Sequence, residues 1–455
     1  MTSTLSTTTG AATGADSGRE APLTLDETAP RTLGLADHLG MWGNLGVSLL
    51  GFTGAIYVLT PVDGAPALAF GAALLAIVLG TVLGTAAVSI AAVPGAQTGQ
   101  PSMVLLRGLF GAKLSWLPTT LNIVQLLGWT AFELVTISTA LSQVVDGVPR
   151  WVWVLLGGAV TVGLSLRPLG WIRVLRRYVT VLVMIAMAWF AIQLLRNPLP
   201  GLGDGSWQNF WVATDTVIAV SVSWVPVVAD YTRHSRTVRS AAWGTFAGYS
   251  VTQILCYAIG LVTLVTVARG DADQVFGAFL AVPLGALAFA VLAVRELDQS
   301  FVDAYSSGIS VQNLLPRVDR RILTTAVGVL ATLGAIVLDI EDYGNFLTLL
   351  GSVFVPLLGV LAVDWFLVSR GRWDLSEQAP LRPLMLLPWL VGFATYQVIN
   401  PGYIGWWGRM WSHVRWFDQQ SWMSASVLSF AVAAVVTVPI AAFDRRMSAR
   451  PSRGR

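Results

Sequence analysis

Long apolar stretches, separated by short polar segments, fill most of this chain of 455 residues. The hydrocarbon core of a bilayer is about 30 Å thick, so a helix needs about 20 apolar residues to cross it. On that template the sequence predicts an all-α, polytopic membrane protein with twelve spanning helices, here called spans 1 to 12. Their approximate bounds are 40–60, 66–93, 114–145, 150–166, 174–195, 210–230, 240–268, 283–312, 322–340, 343–368, 383–399 and 424–443.

The composition excludes several other classes of protein. Only 12% of the residues are charged, whereas an average soluble domain has about 25%. This argues against an ordinary cytosolic enzyme, a disordered scaffold and a nucleic-acid partner. The single cysteine, Cys256, excludes a disulfide framework. The three histidines, His38, His234 and His413, are far apart, so no metal centre and no cofactor is expected.

The two ends of the chain differ from the spans. Residues 1–35 are rich in Ser, Thr, Ala and Gly and lack the pattern of a signal peptide, which predicts a disordered cytoplasmic tail. A membrane transport domain is expected at 36–445, followed by a basic tail at 446–455. The Lys and Arg residues concentrate in alternate segments, and few fall in the segments expected outside: Arg150, Arg196, Arg269, Arg409 and Arg415. The positive-inside rule then predicts a multi-pass protein of the cell membrane with both termini cytoplasmic.

Span 1 contains three glycines in a short stretch, Gly46, Gly51 and Gly54. Glycines weaken a helix, and unwound backbone carbonyls in the middle of a membrane can bind a cation or a ligand. The alternative is close packing between helices through small residues.

Span 6 contains Pro226 shortly after Ser221, Ser223 and Trp224. Proline removes a backbone donor and disfavours helix at the residue before it. We therefore expect a broken helix that presents a tryptophan on which a ligand can stack. The alternative is a simple proline kink.

Span 3 places Asn122, Gln125, Trp129 and Glu133 on one helical face. An aromatic plane one turn from a carboxylate suits a flat ligand that forms hydrogen bonds. The alternative is a polar contact between helices beside a packed tryptophan.

Span 8 contains an unusual concentration of ionisable and polar residues. A charge in the middle of a span costs about 2.5–3.5 kcal/mol and by default indicates a functional site. The alternative is that this stretch is the solvated end of the helix. The residues concerned are Arg295, Glu296, Asp298, Gln299, Ser300 and Asp303. Broken spans 1 and 6, with polar spans 3 and 8, fit two inverted repeats of five helices that bind substrate and ion at mid-membrane.

Several short motifs, in their order along residues 38–372, resemble the purine–cytosine permease family, the first nucleobase:cation symporter family. The matching segments are 95–99 (GAQTG), 109–111 (LFG), 115–118 (SWLP), 223–226 (SWVP), 230–233 (DYTR), 305–310 (YSSGIS), 346–350 (FLTLL) and 364–367 (DWFL). The resemblance implies a leucine-transporter-type fold of ten core helices plus two, and import of a nucleobase or a related planar heterocycle.

The resemblance also implies roles for single residues. Trp129 matches the tryptophan that stacks on the base, and Glu133 is at the position one turn further on. Ser223 and Trp224, with Ser221 as the alternative, match the unwound part of span 6. Ser300 matches a position that contacts substrate. Gln125, Glu133 and Ser300 are the candidates for binding the edge of the base.

The expected ion site departs from the pattern of the sodium-coupled relatives. Gly51 and Ala55 match positions whose carbonyls bind sodium, and their partners in span 8 match Arg295, Asp298 and Gln299. An arginine there would repel sodium, and its guanidinium could pair with Asp298 and stand where sodium would have been. A proton carried by Glu133, Glu296 or Asp303 is therefore the preferred coupling ion.

The sequence thus predicts a secondary active transporter in the lipid bilayer that imports cytosine or a purine by symport with a proton rather than sodium. The alternative substrates are a hydroxymethylpyrimidine precursor of thiamine or another planar heterocycle such as a hydantoin. Two other classes are an intramembrane enzyme, for which the span 8 cluster lacks His and Cys, and a passive channel, which would not perform counterflow.

Overall fold

The structure is a computed structural model that describes residues 22–448, except 26, 63, 146, 167, 271–273, 339–342, 403 and the side chains of 168–178. The described part is built of helices and has no named strand, only isolated bridges between Leu33 and Ser235 and between Leu68 and Ser206. The predicted all-α class is confirmed.

The helices are numbered α1 to α18 in chain order. They are α1 Leu35–Leu45, α2 Leu49–Gly54, α3 Ile56–Leu59, α4 Phe70–Thr98, α5 Ser102–Phe110, α6 Trp116–Val144, α7 Arg150–Ser165, α8 Pro168–Leu194, α9 Phe210–Val222, α10 Val228–Thr232, α11 Val238–Thr266, α12 Gln274–Ala281, α13 Gly285–Gln312, α14 Arg320–Val337, α15 Tyr343–Ala362, α16 Leu386–Ile399, α17 Gly405–Val414 and α18 Ala425–Ser448. A π-helical turn, Val363–Val368, extends α15, and a 3-10 turn, Pro383–Met385, leads into α16.

Each predicted span coincides with one helix or one broken set of helices. In the described part, α4, α6, α11, α14, α15 with its π-helical turn, and α18 are long and apolar enough to cross a bilayer, and α1 to α3 together pass the same test as one bent span. Shorter apolar helices occupy spans 4, 5, 6 and 11, and the charge-bearing α13 occupies span 8. The placement of the apolar helices is confirmed, whereas the count of twelve and the five-plus-five repeat stay predictions.

Span 1 is broken between α1 and α2, and its two halves meet at 58°. Ser48 is the N-cap of α2, because its hydroxyl accepts a hydrogen bond from the Leu50 N–H at 3.1 Å. A side chain on Gly46 would collide with Thr252 of α11. Both interpretations of the glycines in span 1 therefore apply. The helix is broken among them, and they allow close packing against the neighbouring α11.

Span 6 is broken between α9 and α10, at the segment that contains Pro226. The N-terminus of α10 is bound by α5 rather than by its own chain segment. The Ser102 hydroxyl accepts from the Ala229 N–H at 3.0 Å, and the Ser102 N–H donates to Asp230 Oδ1, also at 3.0 Å. These reciprocal bonds satisfy donors that a helix start leaves open.

Residues 22–25 and 27–34, here called the N-terminal strap, lie against the ends of several helices. The Leu23 carbonyl accepts from Gln312 Nε2 at 2.6 Å at the end of α13. The Leu33 N–H donates to the His234 carbonyl at 2.9 Å, just after α10. The strap thus connects α13 to the second half of span 6. Residues 1–21 of the predicted disordered tail, and 449–455 of the predicted basic tail, lie outside the described residues.

Candidate functional site

The breaks of spans 1 and 6 border one narrow cavity, whose volume of about 20 Å³ has room for about one water molecule. Its other walls come from α6, α11, α13 and α15. Six of the residues predicted from the sequence line it: Gly51, Trp129, Ser223, Trp224, Gln299 and Asp303. The remaining lining includes Ser48, Tyr249, Gln253, Tyr257 and Tyr343.

Trp129 forms one aromatic wall of this cavity. Its ring packs edge-on against Tyr343, with ring centres 5.8 Å apart, and against Phe346 at 5.2 Å. Among the described residues no acceptor receives its indole N–H. A buried N–H normally has a partner, so this donor is available to a ligand.

Trp224 forms another aromatic part of the lining, and its orientation is fixed on two sides. The indole Nε1 donates to the Tyr249 hydroxyl at 2.9 Å. The ring also packs edge-on against Trp42, with centres 5.7 Å apart and planes at 88°. Because both contacts hold the ring, the break in span 6 presents an ordered surface to the cavity.

Gln125 and Ser221 do not line the cavity but support its walls. Gln125 Nε2 donates to the Ser223 carbonyl at 2.8 Å, a carbonyl at the break of span 6. The Ser221 hydroxyl donates to Gln253 Oε1 at 3.0 Å and so faces α11. Both residues act through a neighbour that does line the cavity.

Glu133 and Ser300 lie behind the cavity wall. Glu133 is completely buried, and its carboxyl group lies beside Ser300 and Asp303. Among the described residues no donor reaches either of its oxygens with good hydrogen-bond geometry. Asp303 separates Glu133 from the cavity, since Asp303 itself is part of the lining.

Arg295 is fully buried on α13 and binds the end of the first half of span 1. Its Nε and Nη2 donate to the Asn44 carbonyl at 2.9 and 2.6 Å, and its Nη1 donates to Gln299 Oε1 at 2.7 Å. The carbonyls at a helix C-terminus carry partial negative charge, which a cation stabilises. Asp298, which we expected near this guanidinium, accepts a hydrogen bond from the Asn44 side-chain amide.

Glu296, the next residue, binds the start of the second half of span 1. Its Oε1 accepts from the Ser48 hydroxyl at 2.7 Å, and its Oε2 accepts from the Leu49 N–H at 3.0 Å. The Arg295 guanidinium lies 3.4 Å from the same Oε2. An anion at a helix N-terminus is favourable, so an ion pair on one helix holds both ends of the break.

The remaining predicted ion-site residue, Ala55, is placed differently. Its carbonyl accepts from the Val58 and Leu59 N–H groups at 3.2 and 3.0 Å, within the α3 turn. Ala55 is not part of the cavity lining. In the described part of the chain no group of three or more His, Cys, Asp or Glu could hold a metal ion.

The cavity-lining residues of α11 were not predicted from the sequence. Tyr249, Gln253 and Tyr257 line the cavity and recur every four residues, so they share one helical face. That spacing is visible in the sequence of span 7. Tyr343, at the start of α15, had no such pattern around it.

The chain is similar in sequence to known permeases. A putative purine-cytosine permease of Bacillus subtilis is 23% identical over 354 residues, which cover 71% of this chain and 76% of the relative. The cytosine permease of Escherichia coli K12 is 24% identical over 312 residues, which cover 66% of this chain and 71% of the relative.

Solved transporters share the fold. Mhp1, a nucleobase-cation-symport-1 family transporter in a closed conformation with bromovinylhydantoin bound, matches with a TM-score of 0.75 at 17% identity, over 94% of this chain and 95% of that chain. A Na⁺-coupled sialic acid symporter matches with a TM-score of 0.62 at 12% identity, over 92% of each chain. These matches confirm the leucine-transporter-type fold class.

A sequence model of the family described as permeases for cytosine/purines, uracil, thiamine and allantoin matches residues 36–381. The match covers most of the chain and includes the cavity and both breaks. The relatives and the structural neighbours are transporters, which agrees with a cavity between broken helices. This chain therefore belongs to the cytosine/purine permease family, and it is a multi-pass membrane transporter of nucleobase-like substrates rather than an enzyme.

Proposed function

We propose that this transporter imports a nucleobase, cytosine or a purine, by symport with a proton. The observation that carries the proposal is a single cavity lined by Trp129, Trp224 and the Asp303 carboxylate. Stacking of a base on an aromatic side chain contributes about 1–3 kcal/mol and tolerates any base. The choice among bases therefore depends on contacts with the edge of the ring.

The edge contacts favour a base with an amino group. The carboxylate of Asp303 can accept from a ring N–H or an exocyclic amine, and the amides of Gln253 and Gln299 can both donate and accept. The unused indole N–H of Trp129 offers a further donor. Glu133 and Gln125 would position Asp303 and Ser223 rather than touch the base.

The contacts of Arg295 support a proton as the coupling ion. Its guanidinium binds the Asn44 carbonyl at the break of span 1, and carbonyls at the ends of broken helices are the groups that coordinate cations in transporters of this kind. A sodium ion beside this charge would be repelled. Buried Glu and Asp residues such as Glu133 and Asp303 are the usual carriers of protons within membranes.

The test is uptake of labelled cytosine into proteoliposomes with separately imposed proton and sodium gradients. We expect accumulation with the proton gradient, competition by unlabelled cytosine or adenine, and no accumulation with sodium alone. Counterflow of labelled for unlabelled cytosine distinguishes a carrier from a channel. Accumulation driven by sodium alone would support the proposed substrate but show that sodium, rather than a proton, is the coupling ion.

A second substrate class is favoured by one observation, the hydantoin derivative bound to the structural neighbour of TM-score 0.75. A hydantoin is also flat, with N–H and C=O groups at its edge, and fits the same aromatic walls. Hydantoins and a hydroxymethylpyrimidine therefore belong among the competitors. Competition by one of these compounds, without competition by cytosine or adenine, would identify a different substrate that binds at the same site.

We also propose that the protein lies in the cell membrane with both termini in the cytoplasm. The concentration of Lys and Arg in alternate segments supports this orientation. In a Cys256→Ala background, a membrane-impermeant maleimide should label Gln419→Cys in intact cells and Ser376→Cys only after permeabilisation. Both positions are exposed. The reverse labelling pattern would therefore show that the protein has the opposite orientation in the membrane.

A further inference from the structure

Three buried carboxyl groups cluster next to the cavity: Glu133 on α6 and Glu296 and Asp303 on α13. Among the described residues, the cation that faces this group is Arg295. The neutral groups around it are the Ser300 hydroxyl and the hydroxyls of tyrosines on α10, α11 and α15. One positive charge cannot balance three negative ones in a site shielded from water.

Glu296 is balanced by its own contacts. It receives the Ser48 hydroxyl and the Leu49 N–H, and it lies 3.4 Å from the Arg295 guanidinium. It also faces the positive end of the α2 dipole. The charge of Arg295 is in turn used by Glu296 and by the Asn44 carbonyl. The hydrogen bonds of Arg295 go to Glu296, Gln299 and the Asn44 carbonyl, and none of them goes to Glu133 or Asp303.

Glu133 and Asp303 are left facing each other. Their carboxyl groups lie within hydrogen-bonding reach of one another, and the Ser300 hydroxyl is the other donor beside Glu133. Among the described residues no donor, Ser300 included, reaches either oxygen of Glu133 with good geometry. An ionised carboxylate only accepts hydrogen bonds, so two ionised groups cannot bond to each other. A proton held between them removes the repulsion and supplies the missing donor, as in other paired carboxyl groups.

We propose that Glu133 and Asp303 together hold one proton when the cavity is empty, and that this is the proton transported with the base. The proposal rests on the proposed function and names the proton site within it. Asp303 lines the cavity and exchanges the proton with water, whereas Glu133 lies behind it and is the second position for the same proton. Glu296 has a structural role and does not carry the proton.

The first test needs no substrate. Infrared spectra of the purified protein at neutral pH are compared with those of the double variant Glu133→Gln/Asp303→Asn. We expect the difference to contain one carboxylic acid C=O band, shifted in D₂O, and one carboxylate band. Two carboxylate bands and no acid band would overturn the proposal, even if the protein proved to transport no nucleobase.

The second test uses single variants in proteoliposomes loaded with a pH-sensitive dye and measures protons taken up per labelled cytosine. Counterflow of Asp303→Asn is expected to fall because Asp303 lines the cavity, and the proton uptake per base is expected to fall to zero. The matched control is Asp215→Asn, a buried carboxylate that binds the start of α18 through Ser424 and Ala425.

The proton-to-base ratio of the control variant Asp215→Asn should equal that of the wild type. A wild-type ratio in Asp303→Asn would overturn the proposal, as would an equal loss of the ratio in Asp215→Asn. If the wild type itself takes up no base, the proposed function fails while the infrared comparison still decides the state of the pair.

Discussion

The breaks in spans 1 and 6 are stabilised by different chemistry. At the break of span 1, both helix ends are bound by charges, because Arg295 holds the Asn44 carbonyl and Glu296 holds the Leu49 N–H. At the break of span 6, neutral side chains bind the corresponding backbone groups. The Gln125 amide binds the Ser223 carbonyl, and the Ser102 hydroxyl binds the Ala229 N–H at the start of α10.

The difference separates two tasks that broken helices perform. At the break of span 1, an ion pair on α13 binds the backbone groups on both sides, so the protein's own charges hold this break. At the break of span 6, neutral amide and hydroxyl groups bind the open backbone groups, and the nearby Asp230 carboxylate binds the Ser102 N–H of α5. That break is therefore better suited to a neutral, flat ligand.

The largest expected effect is the loss of the charge at span 1. Arg295→Ala leaves Glu296 buried without its cation, and removal of one partner of a buried ion pair typically costs about 3–5 kcal/mol. We expect a marked drop in the melting temperature of the purified protein, followed by tryptophan fluorescence. Arg295→Lys keeps the charge but loses the planar fork of donors, so its drop should be smaller.

The response of Arg295→Ala to different salts tests the role of the charge at span 1 further. If the guanidinium stands in for a cation, sodium should raise the melting temperature of Arg295→Ala more than choline at equal ionic strength. The wild type should respond equally to both salts. A wild-type melting temperature in Arg295→Ala would show that the break does not depend on the ion pair.

An intermediate effect is expected at the aromatic wall. Trp129→Ala removes the proposed stacking surface, worth about 1–3 kcal/mol, and every 1.4 kcal/mol corresponds to about tenfold in Kd. Binding of cytosine to the purified protein should weaken accordingly, with Trp129→Phe in between. The control is Trp207→Ala, an exposed tryptophan outside the cavity. Equal affinity in Trp129→Ala and the wild type would remove Trp129 from the site.

The smallest effect is expected at the start of α10. Ser102→Ala removes an acceptor for the Ala229 N–H, and loss of a helix cap costs about 0.5–2 kcal/mol. Thr237→Ala removes a comparable cap from α11, where the Thr237 hydroxyl accepts from the Ser240 N–H at 3.1 Å. Both variants should lose similar stability, but only Ser102→Ala should slow counterflow, because its cap lies at a break. Equal counterflow in the two would show that the cap serves stability alone.

The helices were predictable because the length of an apolar run determines whether it can cross a bilayer. The error at the start of span 1 has a physical reason. The prediction began at residue 40, whereas α1 begins at Leu35. The polar residue His38 looked like part of a loop, yet it is buried and bonded to Ser235 at 2.7 Å. Protein contacts, rather than lipid, surround this end of the helix.

The site was predictable where a tryptophan combined with a second local signal. Trp224 was found from the break of span 6 and Trp129 from the polar face of span 3, and both line the cavity. Contacts such as that of Arg295 with the Asn44 carbonyl, 251 positions apart, depend on how the helices pack and have no local pattern. Ala55 failed for a local reason, because its carbonyl is bonded within its own turn.

The N-terminal strap has a mechanical consequence for the two helices that it contacts. Leu23 is bonded at the end of α13 and Leu33 just after α10, so the strap adds two bonds to the direct contact that the Tyr231 hydroxyl of α10 makes with Ser306 of α13. Any change in the distance between these two helix ends must either release one of the strap's bonds or stretch the segment between them. A chain shortened to residue 35 would lack both strap bonds and keep only the direct contact.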